Sequence, residues 1–255
     1  MNNISAMNLG KVPEVMLTFW LIKIIATTLG ETAGDAVTMS MNLGYIIGTA
    51  IFSTIFIVAV SGQIVSKQFN PYLYWTVIVA TTTTGTTLAD FADRSLGIGY
   101  AGGSVLLLAC LLISFILWYY SQGSVSLSTI TSKKAELFYW ITIMFSQTLG
   151  TALGDWIADS GLGYEGGALV FAAGLVIVAV AYYWLNISHT FLFWTAFVLT
   201  RPLGATLGDL LDKPIEQGGL ALSRYSASAV LIIIILCCIV FLPQKAEKVS
   251  FVDDK

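Results

Sequence analysis

The sequence predicts an all-α integral membrane protein of eight transmembrane helices, and three observations carry that prediction. Of 255 residues, 56% are hydrophobic and 11% are charged, less than half of the roughly 25% charge of a soluble domain. The apolar residues run in blocks of about 20, the length at which a helix crosses a bilayer. A Trp–Gly–Asp motif recurs four times, and each copy is followed by a second apolar block. A water-soluble enzyme is excluded, because folding in water would leave most of that apolar surface exposed. The net charge of −3 is too small to imply a nucleic acid partner.

The repeat is read from Trp20, Trp75, Trp140 and Trp194. Ten residues after each comes Gly30, Gly85, Gly150 or Gly204, and five later Asp35, Asp90, Asp155 or Asp209. A small residue precedes each Asp: Gly34, Ala89, Gly154 and Gly208. The first repeat, 12–65, supplies a helix over 12–35 and an apolar helix over 45–65 that starts beside Gly44-Tyr45. The second, 72–120, gives helices over 72–93 and 99–120, the latter starting at Gly99-Tyr100. The third, 136–185, gives 136–158 and 164–185, with Gly163-Tyr164 between them. The fourth, 190–242, gives 190–211 and 220–242, and departs by placing Gly218-Gly219 where the others have Gly-Tyr. Residues 121–135 form the longest polar linker and 243–255 a tail, the whole chain making one transmembrane domain.

Two helices per repeat make all four repeats point the same way, so the relating axis lies along the membrane normal. Successive motif Asp residues are 55, 65 and 54 apart, and repeats two and four alone continue as Asp90/Asp93/Arg94 and Asp209/Asp212/Lys213. A duplicated two-repeat unit explains both facts and predicts pseudo-twofold to pseudo-fourfold symmetry. Lys11, Lys67, Lys133, Lys134, Lys245, Lys248 and Lys255 fall on one side, and Arg94, Lys213 and Arg224 on the other. The excess of bases makes the first side cytoplasmic, with both termini inside.

At 100° per residue, the third, fourth and seventh residues before the Asp share its helix face. The first helices therefore carry a stripe of hydroxyls and carboxylates: Glu31 and Asp35, with Asp90, Asp93, Asp155, Asp159, Asp209 and Asp212, as cation or proton ligands. Thr28, Thr32, Thr87, Thr151 and Thr206 are read as the lining of a pathway. Gly30, Gly34, Gly85, Gly150, Gly154, Gly204 and Gly208 form small-xxx-small surfaces on a neighbouring face that let helices approach closely. The four first helices are expected inside, jacketed by the four second helices. The tryptophans are read as interface anchors or packing residues, and Lys23 as a side chain that snorkels to the inner surface. Arg201 sits two turns before Asp209, where it would serve as an internal counter-charge.

Intramembrane ionisable residues mark functional sites by default. Ten of the fifteen acidic residues lie at or just beyond the Asp ends of the motif helices, which makes that end attractive to cations. Carboxylate and hydroxyl ligands suit protons, Na⁺, Mg²⁺, Ca²⁺ or Mn²⁺ better than Cu(I) or Zn²⁺. The expectation is a transporter for a hard cation, exporting a divalent metal such as Mn²⁺ by proton exchange, with Asp35, Asp90, Asp155 and Asp209 as metal ligands. A non-transporting scaffold or sensor, and a passive cation channel, are the alternatives. The expected partners are a small inorganic cation, protons and the lipid bilayer, with a homo-oligomer left open. No catalytic pattern or cofactor motif is present in the sequence, so neither an enzyme nor a cofactor is expected.

On these residues the chain resembles a bacterial family of multi-spanning proteins built of four tandem repeats of unknown function, each with a marked tryptophan. The resemblance covers about residues 12–242 and implies eight spans in a bacterial inner membrane. It brings no substrate and no site residues.

Overall fold

A computed structural model describes residues 9–249; Lys255 and the end of the 243–255 tail lie outside the described residues. Eight α-helices dominate: α1 (Leu17–Asp35), α2 (Gly44–Val65), α3 (Pro71–Asp90), α4 (Gly99–Gln122), α5 (Lys133–Ile157), α6 (Gly163–Trp184), α7 (His189–Asp212) and α8 (Arg224–Phe241). A small antiparallel ribbon joins β1 (Leu9–Pro13) to β2 (Ala246–Lys248). The sequence placed residues 12–16 in the first helix. Instead the chain stays extended there, because the ribbon pairs its backbone and buries Val12 under the bundle.

Three of the four motif helices begin on a side-chain cap. Asn70 accepts from the Leu73 amide ahead of Pro71, Ser132 from the Ala135 amide, and Ser188 from the Phe191 amide. At their far ends, α1, α3 and α5 widen into π-helical turns over Ala36–Ser40, Phe91–Ser95 and Ala158–Leu162. The chain then reverses at Gly44, Gly99 and Gly163, with φ of 73°, 73° and 65°. That left-handed backbone favours glycine, which explains the Gly of the Gly-Tyr dipeptides. The fourth repeat lacks the wide turn and returns through a short 3₁₀ segment, Ile215–Gln217.

The motif helices contact one another in a closed ring, α1 to α3 to α5 to α7 and back to α1. Each second helix packs on the motif helix of the next repeat: α2 on α3, α4 on α5, α6 on α7, and α8 on α1. The second helices turn large apolar side chains outward, among them Ile46, Val58, Val105, Leu106, Val176, Ile177, Val230 and Ile233. Among the described residues, four stretches are long and apolar enough to cross a membrane: Gly44–Val65, Gly99–Gln122, Lys133–Trp184 and Arg224–Phe241. They include all four jacket helices, together with α5.

All seven motif glycines lie where helices meet. A Cβ on Gly30 would strike Thr82, on Gly85 the backbone of Gln147, on Gly150 Arg201, and on Gly204 Thr27. One turn on, Gly34 faces Thr86, Gly154 faces Ala205, and Gly208 faces Glu31. Each glycine thus admits a side chain from the following repeat, and the fourth repeat closes on the first.

Candidate cation site

Every fourth residue of the motif helices, counted from the one before each Trp, faces the centre of the ring. The first layer is aromatic: Phe19, Tyr74, Tyr139 and Phe193. The Tyr74 and Tyr139 hydroxyls hydrogen-bond at 2.6 Å, and Trp75, Trp140 and Trp194 are buried beside them. The tryptophans are therefore packing residues. β1, β2 and the 121–135 linker cover this end. Trp75 Nε1 donates to Gln244 (3.2 Å), Trp194 Nε1 donates to the Val125 carbonyl (2.9 Å), and Lys11 pairs with Glu136.

The second layer holds Lys23, Ile78, Ile143 and Phe197, all 0% exposed. Lys23 does not snorkel. Its ammonium lies 3.9 Å from the centre of the Phe197 ring and 3.4 Å from Thr200 Oγ1. The aromatic floor stands between this side chain and the nearer surface.

Above come Thr27, Thr82, Gln147 and Arg201, then Glu31, Thr86, Thr151 and Ala205. Arg201 bridges these two layers. Ala205 is small, and the guanidinium from one turn earlier serves as that helix's polar group in the upper layer. One guanidinium nitrogen of Arg201 lies 2.9 Å from Glu31 Oε2 and is also within hydrogen-bond reach of the Thr86 and Thr151 hydroxyls. All four repeats meet at this one group. Arg201 pairs with Glu31, not with a motif Asp.

The last layer is the quartet Asp35, Asp90, Asp155 and Asp209, all buried. Arg94 Nε lies 3.1 Å from Asp90 and its Nη2 lies 3.2 Å from Asp155. The Lys213 ammonium pairs with Asp35, with Asp209 (2.9 Å) and more loosely with Asp212 (3.9 Å). Arg224 lies 2.8 Å from Asp212 and 3.8 Å from Asp35. Carboxylate oxygens of Glu31, Asp35 and Asp209 come within 4.8 Å of one another. Oxygens bound to one Ca²⁺-like ion at about 2.3–2.6 Å span no more than about 5 Å, so these three can share an ion.

The remaining expected residues divide. Asp93 is buried against Gly103 at the start of α4, and Asp159 is exposed. Of the five threonines read as lining, Thr151 alone reaches the polar layers. Thr32 bonds Ser228 of α8 (2.9 Å), Thr87 faces Gly48 of α2, and Thr206 faces Gly167 of α6. Thr28 returns its hydroxyl to the Ile24 carbonyl. In repeats one, two and four the third residue before the Asp thus faces the jacket, while the fourth lies in the central layers. A helical wheel does not separate the two, because both lie near the Asp. The aromatic residue before each Trp, part of the floor, was legible as a fourfold Phe/Tyr-Trp pair and was missed.

Among the described residues, seven buried carboxylates gather at this end: Glu31, Asp35, Asp90, Asp93, Asp155, Asp209 and Asp212. Four bases face them: Arg94, Arg201, Lys213 and Arg224. No curated protein and no solved structure matches the chain. Residues 18–69, 73–124, 138–188 and 192–243 each match the repeat of unknown function DUF347. Four tandem copies of that repeat account for most of the chain, which belongs to the DUF347 family.

Proposed function

We propose that the protein is a membrane transporter for a hard cation, exporting a divalent metal such as Mn²⁺ in exchange for protons. The observation that carries this reading is the charge imbalance of the buried cluster, seven carboxylates against four bases. A buried ion without a partner costs several kcal/mol, and a whole domain is stable by only about 5–15 kcal/mol. Some three uncompensated negative charges therefore demand protons, a metal ion or both, and exchanging one for the other is the chemistry of an antiporter. Glu31, Asp35 and Asp209 take the metal, while Asp90 and Asp155 form a second, Arg94-bridged pair.

In this reading all eight helices cross a bacterial inner membrane, with the motif helices shielded by the jacket and the repeats related by an axis along the membrane normal. The lysine-rich ribbon end faces the cytoplasm and the aspartate end faces out. The filled layers from Phe19 to Phe197 favour a gated carrier over a passive channel, since no ion passes them without rearrangement. A non-transporting scaffold is the second reading, favoured by the carboxylate pairing of all four bases.

Proteoliposomes loaded with Mn²⁺, Mg²⁺, Ca²⁺, Co²⁺, Zn²⁺ or Na⁺ separate these readings. Transport predicts flux of a hard cation with opposing proton movement, reduced at least tenfold by Asp35→Asn or Asp209→Asn in protein that still elutes as a folded species. A parent protein that moves none of the six cations makes the scaffold reading correct. Flux without proton movement makes it a channel.

A further inference from the structure

The fourth residue after the motif Asp is a base in repeats two and four, Arg94 and Lys213, and Met39 and Asp159 in the other two. Each base reaches across to the Asp of the next repeat in the ring, Arg94 to Asp155 and Lys213 to Asp35. The quartet is thereby divided into two pairs, each holding a cation fixed to the chain. The pair held by Lys213 is the one whose oxygens, with those of Glu31, are close enough to share a metal ion. Asp35 is 1% exposed, and its Oδ1 has no hydrogen-bond partner. One oxygen is thus buried and unused, since Lys213 and Arg224 both approach Oδ2.

Lys213 lies just beyond α7, in the return loop, where its carbonyl accepts from the Ala221 amide (2.9 Å). Its side chain borders a cavity of about 460 Å³ on the outer side of the cluster, lined also by Arg94, Tyr100, Tyr164, Gln217 and Arg224. Open space therefore lies beside Lys213, outside α7.

The geometry points to Lys213 as the resident occupant of a divalent-cation site formed by Asp35, Asp209 and Glu31, which a free ion enters only as the ammonium swings into that cavity. This rests on the cation-transport reading of the same cluster and adds the residue that controls entry. A divalent ion brings two charges where the ammonium brings one, and it can use the idle Asp35 oxygen. Without the tether, the fixed cations left at the three carboxylates are Arg201 on Glu31 and, at 3.8 Å from Asp35, Arg224.

Mn²⁺ binding to the full-length protein in detergent, read from the loss of the free-ion paramagnetic resonance signal, tests this. Lys213→Gln should tighten binding at least tenfold, Lys213→Arg, which keeps a tethered charge, should not tighten it, and adding Asp35→Asn to Lys213→Gln should abolish the gain. Equal affinity in the parent and Lys213→Gln, with Asp35→Asn still weakening both, overturns the tether and leaves cation binding standing. A gain that survives Asp35→Asn also overturns it, since the site would lie elsewhere. No Mn²⁺ binding in any variant overturns both readings. A second measurement needs no variant. In the parent, saturating Mn²⁺ should raise acetylation of Lys213 by an amine-reactive ester at least threefold, as read by peptide mass spectrometry. Unchanged or reduced labelling overturns the proposal.

Discussion

Arg201 concentrates most of the polar chemistry of the core in one side chain. Its guanidinium is fully buried and supports Glu31, Thr86 and Thr151 at once. Removing one member of a buried ion pair costs about 3–5 kcal/mol, whereas replacing both by apolar or neutral groups is often close to neutral. Arg201→Met should therefore destabilise the protein by about 3–5 kcal/mol, and Arg201→Met with Glu31→Gln should recover most of the loss. Thermal unfolding in detergent reads both, and a double variant no better than the single would show that Arg201 matters for packing on Gly150 rather than for charge. The pairing was half legible in the sequence. Arg201 stands out as a charge deep in an apolar helix, but its partner lies on α1, and only the closure of the ring brings α7 against α1. Lys23 was misjudged for the same reason, because the aromatic floor beneath it is assembled from the motif helices together.

Among elements, the two classes of glycine make opposite demands. Gly44 has open space where a Cβ would sit but a φ of 73°. Gly204 is helical, and a Cβ there would run into Thr27. Gly44→Ala should cost about 1 kcal/mol through backbone strain, with Gly44→Asn costing less because Asn tolerates the left-handed region. Gly204→Ala should cost about 1–3 kcal/mol or more by prising α7 from α1, with Asn worse than Ala. Melting temperatures of the four variants check the contrast, and the same order of Ala and Asn at both sites would contradict it. Helix positions and the packing glycines could be read directly, since repeat alignment and small-xxx-small spacing are properties of single helices. The π-helical turns and the extended residues 9–13 could not, because the first follows from tertiary packing at the aspartate end and the second from pairing with 246–248.

For the whole molecule, the repeat number decides which ends share a side. With Cys110, Cys237 and Cys238 replaced, single cysteines at Gly161 and Gly218 should react from one side of the membrane, and those at Lys133 and Lys245 from the other. Impermeant maleimide applied to intact cells and to inverted vesicles measures this. Labelling of Gly161→Cys and Gly218→Cys from opposite faces would refute four parallel repeats. Membrane character and the four copies were legible because composition and spacing do not depend on contacts. The direction in which each jacket helix leans, onto the next repeat rather than its own, was not, since both arrangements leave the same apolar pattern. That lean has a consequence for connectivity. With α8 on α1 and Leu9 paired to Lys248, the two ends of the described stretch meet at the same junction that the other three repeats cross by loops. The fold is topologically an unbroken cycle cut at one of four similar seams. A circular permutant opened within residues 124–131 and sealed between 249 and 9 would retain every helix pair of the parent.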